Sequence, residues 1–299
     1  MSPDPDSGVV TVFAPTGIGE ITAGTDLVDV VLRAATADPL GPLRSGDVVV
    51  VTSKVISKAD GLVRLADQRD EAITEQTAAT VARRGPTRIV RTRSGLTVAA
   101  AGVDNSNVAP GTVLVLPPDP DASAAALHAE LTRRSGLDLG VVVSDTAGRA
   151  WREGQTDHAI GAAGLRVLER YAGRQDAYGN DLQVTAMAVA DEIAGAADLA
   201  KAKLAGRPVA VVRGLGHLVE PTGRPDGRAA DLIRPLALDL FRLGAREAVL
   251  AAVLGATGQA DRYEELVALD EADRVRAVVE GAGVGADAAA VLTAVLEQA

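Results

Sequence analysis

Residues 139–152, Leu-Gly-Val-Val-Val-Ser-Asp-Thr-Ala-Gly-Arg-Ala-Trp-Arg, carry the reading of the fold. The apolar run Leu139–Val143 is strand length and passes directly into Ser144, Asp145 and Thr146. Polar residues at the end of such a strand are where α/β proteins gather ligands. Similar β-branched runs recur outward from it, at Val9–Phe13, Val48–Thr52, Leu96–Ala100, Thr112–Leu116, Leu182–Val189 and Pro208–Val212. Between them, helical spacing predicts helices over Thr25–Ala37, Asp67–Arg84, Asp121–Ser135, Gly161–Tyr171, Asp191–Leu204 and Arg228–Leu243. Interspersed strands and helices place the chain among α/β or α+β proteins.

The ends differ from this middle. Residues 1–8, rich in Pro, Asp and Ser, predict a disordered leader with none of the basic and apolar regions of a signal peptide. Residues 9–244 form the main domain. From Ala245 to Ala299 the pattern is almost purely helical, a C-terminal appendage interrupted at Gly-Ala-Gly-Val-Gly (281–285).

Composition excludes several functions. The 299 residues are 47 % apolar, enough for a buried core, and their net charge of −10 opposes nucleic-acid binding. There is no cysteine, so thiolate nucleophiles, iron–sulfur clusters and cysteine zinc sites are absent. With no run of 18 apolar residues, a soluble cytoplasmic protein is expected, with no membrane partner. Basic charge is carried almost wholly by arginine; lysine occurs only at 54, 58, 201 and 203, which suggests a specific task at each.

Five segments hold polar residues near strand ends. Gly102-Val-Asp104-Asn105-Ser-Asn107 offers oxygen ligands for a hard cation or a phosphate, though an Asx-turn suits the same composition. Asp145 and Thr146 match the carboxylate-then-hydroxyl pattern that holds Mg²⁺ or Mn²⁺. Arg149 and Arg152 behind them suit phosphate oxygens; a helix N-cap followed by solvated arginines is the alternative. Ser53, Lys54 and Lys58 follow Val48–Val51 and offer hydroxyl and ammonium donors, without a Walker A motif. Glycine loops at Gly17-Ile18-Gly19-Glu20-Ile21 and Val211-Val212-Arg213-Gly214-Leu215-Gly216-His217 allow close backbone approach to a ligand. His128, His158 and His217 share no metal or triad spacing. Carboxylates, a hydroxyl, lysines and arginines without a nucleophile describe a metal-dependent phosphoryl-transfer or nucleotide site.

Six ordered blocks carry a resemblance: TSKVISKADG (52–61), GVDNSN (102–107), SDTAGRAWREGQTD (144–157), RQDAYGNDLQVT (174–185), VADEIAGAADLAKAKL (189–204) and PVAVVRGLG (208–216). Together they resemble the coenzyme F-420-0:L-glutamate ligase (gamma-glutamyl ligase) family over about residues 10–245. The resemblance implies an α+β fold of mixed sheets with flanking helices, formed as an intertwined homodimer. It implies GTP-dependent joining of L-glutamate to coenzyme F-420-0 through an acyl phosphate, in some members extended to a γ-linked poly-glutamate tail. Two divalent cations, Mg²⁺ or Mn²⁺, often with K⁺, are the expected cofactors. Carried over by position, Asp104 and Asp145 hold the first cation and Thr146 the second. GTP then contacts Ile18, Gly19, Glu20, Ile21, Ser53, Lys58, Asn107 and the run Val211, Val212, Arg213, Gly214, Leu215, Gly216, His217, Leu218. Arg149 and Arg152 are expected to meet phosphates or substrate carboxylates, and Glu192 to support the site from a helix.

Two departures qualify the resemblance. Gly19 stands where the family often has Pro, which bears on guanine recognition. About 55 residues follow the ligase region, without the opening of the nitroreductase-like domain that some members carry, so no FMN is expected. The same chemistry on another carboxylate acceptor, or GTP binding without turnover, are the alternative readings.

Overall fold

The computed structural model describes residues 8–221 and 227–298; of the leader expected over residues 1–8, residues 1–7 lie outside them. In chain order the elements are β1 (Thr11–Phe13), α1 (Leu27–Ala37), β2 (Val48–Thr52), α2 (Ser53–Ala59), β3 (Val63–Leu65), α3 (Arg69–Gln76), β4 (Thr77–Arg84), β5 (Thr87–Thr92), β6 (Thr97–Ala99) and β7 (Thr112–Leu114). They continue with α4 (Pro120–Ser135), β8 (Gly140–Arg149), β9 (Arg152–Ala163), β10 (Glu169–Arg170), β11 (Arg174–Gln175), β12 (Asp181–Leu182), β13 (Ala186–Met187), α5 (Val189–Lys201) and β14 (Val209–Arg213). Four helices close the chain: α6 (Ala245–Ala256), α7 (Tyr263–Val267), α8 (Glu271–Ala282) and α9 (Ala286–Gln298). The fold is α+β, as expected. None of the helices among the described residues is long and apolar enough to cross a membrane.

The chain divides into two compact units, one of residues up to Ala72 and from Val103 to Ile233, the other of Ile73–Gly102 and the residues from Arg234 on. The first is built on a five-stranded sheet of order β1-β14-β2-β8-β9. Only β2 and β8 run parallel; the other neighbours are antiparallel. Val48 to Val51 of β2 are all fully shielded from water, which explains their unbroken β-branched sequence: both faces of this central strand are covered. Val48, Val50, Val142, Ala162, Ala210 and Val212 share a core with Val189, Ala190, Ile193, Ala194 and Ala197 of α5. The alternate residues face α4: a Cβ on Gly161, which pairs with Val143, would meet the Pro120 carbonyl oxygen at 2.1 Å.

Capping fixes the flanking helices. Asp26 accepts from the Asp29 N–H at 3.0 Å and starts α1, and Asp119 accepts from the Ala122 N–H at 2.9 Å ahead of Pro120 in the first turn of α4. Gly136, in left-handed conformation, ends α4.

The second unit pairs a three-stranded antiparallel sheet, β4-β5-β6, with the C-terminal helices. Its edge strand β4 donates the Thr80 N–H to Glu264 at 3.1 Å and the Arg83 N–H to buried Glu247 at 2.8 Å. Those carboxylates satisfy backbone donors that an edge strand otherwise presents to water. Leu250, Leu254, Leu266, Val267 and Val278 form the helical core, and α8 and α9 separate at residues 283–285 as the glycines predict.

Three predicted helices come out differently. Gly161–Tyr171 is the end of β9, a loop and the short strand β10, because its small residues serve close packing rather than helix propensity, Gly161 against the start of α4 and Ala162 in the core shared with α5. The helix predicted over Asp67–Arg84 stops at Gln76, and Thr77–Arg84 pairs with β5 as a strand. Arg228–Leu243 holds only 3₁₀ turns at 229–232 and 236–238, on either side of Pro235, which lacks the N–H a continuous helix needs. Within the predicted strand Leu182–Val189, only Asp181–Leu182 and Ala186–Met187 pair, and Val189 already opens α5.

Candidate active site

The parallel pairing of β2 with β8 sets Thr52 opposite Ser144; β2 ends there, while β8 runs on to Arg149 paired with β9 alone, so the polar residues 144–149 expected after the strand are part of it. The next residue of each chain then meets the other: Ser53 Oγ donates to Asp145 Oδ1 at 2.8 Å. Because β2 runs straight into α2, Lys54 and Lys58 follow on the same helix. Asp104 arrives from a third direction, bridged to Leu114 by backbone bonds of 3.1 and 2.8 Å, and its carboxylate accepts from Lys54 Nζ. Ser106 closes this corner, its N–H on Asp104 Oδ1 at 2.7 Å and its hydroxyl on Oδ2 at 3.0 Å.

A cleft of about 770 Å³ opens beside these groups, within the first unit. Ile18, Gly19, Glu20 and Ile21 line it from the first glycine loop; Lys58 ties that loop to α2 through a 2.5 Å bond to Glu20. Asn107, in left-handed conformation at φ 57°, and Thr146 line it as well. Asp104, Ser53 and Asp145 are not among the lining residues: Asp104 is bonded to Lys54 of the lining, and Asp145, which Ser53 holds, is next in the chain to Thr146. All four lysines of the chain, 54, 58, 201 and 203, line this one cleft.

Other expected site residues lie elsewhere. Val211, Val212 and Arg213 are buried in β14, and Arg213 is engaged by Asp47 at 2.8 and 2.7 Å and by the carbonyls of Leu40 and Pro42. Gly214 presses on β1: at φ +105°, a Cβ there would meet the Val9 carbonyl oxygen at 2.2 Å. Leu215, Gly216, His217 and Leu218 follow as a turn around Gly46, outside the cleft lining. Arg149 and Arg152 sit at the tip of the β8–β9 hairpin, also outside the lining; Arg149 donates to the Glu153 carbonyl at 3.3 Å and Arg152 is exposed. Glu192 is exposed on α5, and it is Asp191 that reaches the sheet, accepting from the Ala159 N–H at 2.9 Å.

The site also contains groups to which the sequence alone assigned no role. Asp157 on β9 accepts from Ser144, Thr146 and Lys201, and the last of these crosses from the end of α5. The scarcity of lysine was the available signal for Lys201.

The electrostatics follow from crowding. Burial, with Asp157 and Asp104 nearby, pushes the Asp145 carboxyl up to about 6, although Ser53 and Lys54 oppose the shift. Asp104 and Asp157 are also raised by burial, but Lys54 and Lys201 hold each below the ordinary carboxylate value. Asp198, beside them in the cleft wall, is raised by burial and by Asp157.

Among the described residues no three carboxylates or imidazoles converge as a ready cation cage. The donor set nevertheless fits the two hard divalent cations expected, each keeping waters or phosphate oxygens as further ligands: Asp104 and Asp145 for one and the Thr146 hydroxyl for the other are all oxygen donors.

Comparison with known sequences points to one family. The sequence model of the family described as F420-0:Gamma-glutamyl ligase matches residues 17–214, two thirds of the chain and most of the cleft. A coenzyme F420:L-glutamate ligase of Methanopyrus kandleri is 35 % identical over 243 residues, covering 75 % of this chain and 94 % of that protein. A protein of the same name from Methanothermobacter thermautotrophicus is 34 % identical over 255 residues, covering 78 % of this chain and 99 % of its own. Since the family model covers two thirds of the chain, including every residue that lines the cleft, and relatives match over most of their own length, the chain belongs to the F420-0:gamma-glutamyl ligase family.

Proposed function

We propose that this protein joins L-glutamate to coenzyme F-420-0 in the biosynthesis of coenzyme F-420, with GTP as the energy source. The observation that carries the reading is the concentration of every lysine of an otherwise lysine-poor chain on one cleft that also presents Thr146, Asn107 and Asp157, with Asp145 next in the chain to Thr146. A polyphosphate needs positive charge at several points, while two carboxylates in the same cleft need a cation to share with it.

In this reading the acceptor carboxylate oxygen attacks the γ-phosphorus, a carbon–oxygen–phosphorus bond forms and GDP leaves. The uncharged glutamate amine then attacks the acyl carbon, loses a proton and expels phosphate, leaving an amide. Two divalent cations, the first held by Asp104 and Asp145 and the second by Thr146, would supply neutralisation of phosphate charge. The chain's own groups bind and orient: Lys58 from α2 and Asn107 from its turn contact the nucleotide, and the Glu20 loop closes over it. Such catalysis is mostly positioning and electrostatics, so the absence of a nucleophilic cysteine is no obstacle.

The test is incubation of purified protein with F-420-0, L-glutamate, GTP and Mn²⁺ or Mg²⁺, read by mass spectrometry with ATP as control. Product heavier by one or more glutamyl units only with GTP supports the proposal and counts the additions. GDP release without that product would assign the chemistry to another acceptor, and the lack of any turnover would overturn it.

A further inference from the structure

Lys201, Ser144, Asp157 and Thr146 form one hydrogen-bonded chain from the buried end of α5 to the cleft. Its inner members are almost wholly shielded from water: Ser144 is 0 %, Asp157 4 % and Lys201 5 % exposed. Burial at this depth makes each proton's direction matter, because no water competes for the bonds.

The directions follow from what each group can do. The Lys201 ammonium only donates, to Ser144 Oγ at 2.8 Å and Asp157 Oδ2 at 2.6 Å. Ser144 therefore accepts from it and gives its own proton to Asp157 Oδ2, at 2.8 Å. Asp157, flanked by an ammonium and a hydroxyl donor, is a carboxylate and only accepts. The contact between Asp157 Oδ1 and Thr146 Oγ1, 2.8 Å, is thus made with the Thr146 proton. What Thr146 has left for the cleft it lines is lone pairs alone.

We propose that Asp157, held by Lys201 and Ser144, is a positioning residue that fixes the Thr146 hydroxyl as a pure acceptor toward the cleft, the polarity a divalent cation requires. The inference rests on the reading of Thr146 as a cation-facing residue, and it adds a partner that orients the ligand from behind. Asp157→Asn tests it with almost no change of shape. The Asn carbonyl must face the Lys201 and Ser144 donors, so its amide turns to Thr146 and donates. The Thr146 proton is then released toward the cleft, and the polarity is reversed.

Mn²⁺ binding to the full chain, without nucleotide, is followed by electron paramagnetic resonance for the wild type, Thr146→Val, Asp157→Asn and the double variant, with thermal unfolding of each alongside. Each single variant is expected to weaken one Mn²⁺ site about tenfold or more. The double variant is expected to match Thr146→Val within about twofold, since Asp157 has nothing left to orient. Ser144→Ala, which leaves the Asp157 Oδ1 bond to Thr146 intact, is expected to stay within about threefold of wild type. Losses from Asp157→Asn that are equal in both backgrounds, or a Ser144→Ala loss as large as that of Asp157→Asn, would mean that Asp157 acts through charge or fold and would overturn the inference. Wild-type Mn²⁺ affinity in Thr146→Val would instead overturn the reading of Thr146 itself.

Discussion

The Lys54 ammonium is bonded to the Asp104 carboxylate across 50 residues of sequence, so a cation expected at Asp104 meets a positive charge already in place. Removing that charge should favour the metal. Lys54→Met is expected to raise the Mn²⁺ affinity of the nucleotide-free protein several-fold while lowering turnover, because the ammonium is then missing from the phosphate-binding wall. Calorimetric titration checks it; unchanged or weaker Mn²⁺ binding would show that lysine and cation do not compete.

Asp145 sets a trade between stability and activity. Its folded-state carboxyl titrates at about 6 against an ordinary 3.8, so between those values the folded chain holds more protons than the unfolded one. Stability therefore falls as pH rises from about 4 to about 6, and stays lowered above that by about 3 kcal/mol in metal-free protein. Asp145→Asn removes this cost while keeping an acceptor for Ser53. The expected result is a higher metal-free melting temperature at pH 8, a difference that shrinks toward pH 4, and loss of most activity. A variant less stable than wild type at pH 8 would contradict the sign.

Lys58, 15 % exposed, and Glu20, 74 % exposed, meet at the edge of the cleft, and a pair with one partner this open to water adds little stability. Lys58→Ala is expected to leave the melting temperature nearly unchanged and to raise the KM for GTP at least about tenfold, the loss of one charged hydrogen bond. Thermal unfolding and nucleotide-dependent kinetics on the same preparation separate the two effects.

Arg213 behaves oppositely. With its guanidinium on Asp47 and two backbone carbonyls, and stacked 5.3 Å from the Phe13 ring centre, it is a structural cation. Arg213→Met leaves Asp47 buried without its partner and is expected to cost about 3–5 kcal/mol, read by denaturant unfolding.

The strands most easily read from sequence are those with no exposed face: Val48–Val51 and Val141–Val143 are β-branched because both sides are packed. β9 escaped the same reading because Gly161, Ala162 and Ala163 are small for contact with helices, and small residues look helical in a window of sequence. In the site, Lys58, Asn107, Glu20 and Thr146 were visible as polar residues at strand ends, and the structure brings them to one cleft. Asp157 was not, since a carboxylate in the middle of a long hairpin has no local mark. Its meaning comes from Lys201, 44 residues away. Arg213 shows the converse: it lies within a glycine-bearing motif, and only the buried Asp47 reveals its structural work.

The edge strand β4 takes its backbone partners from Glu247 and Glu264, more than 160 residues later in the chain. A ribosome adding roughly 5–20 residues per second would expose the hairpin of residues 77–92 for on the order of ten seconds or longer before α6 and α7 emerge. During that wait Thr80 and Arg83 present open N–H groups to any passing strand. The helices that arrive last are the ones that close this edge.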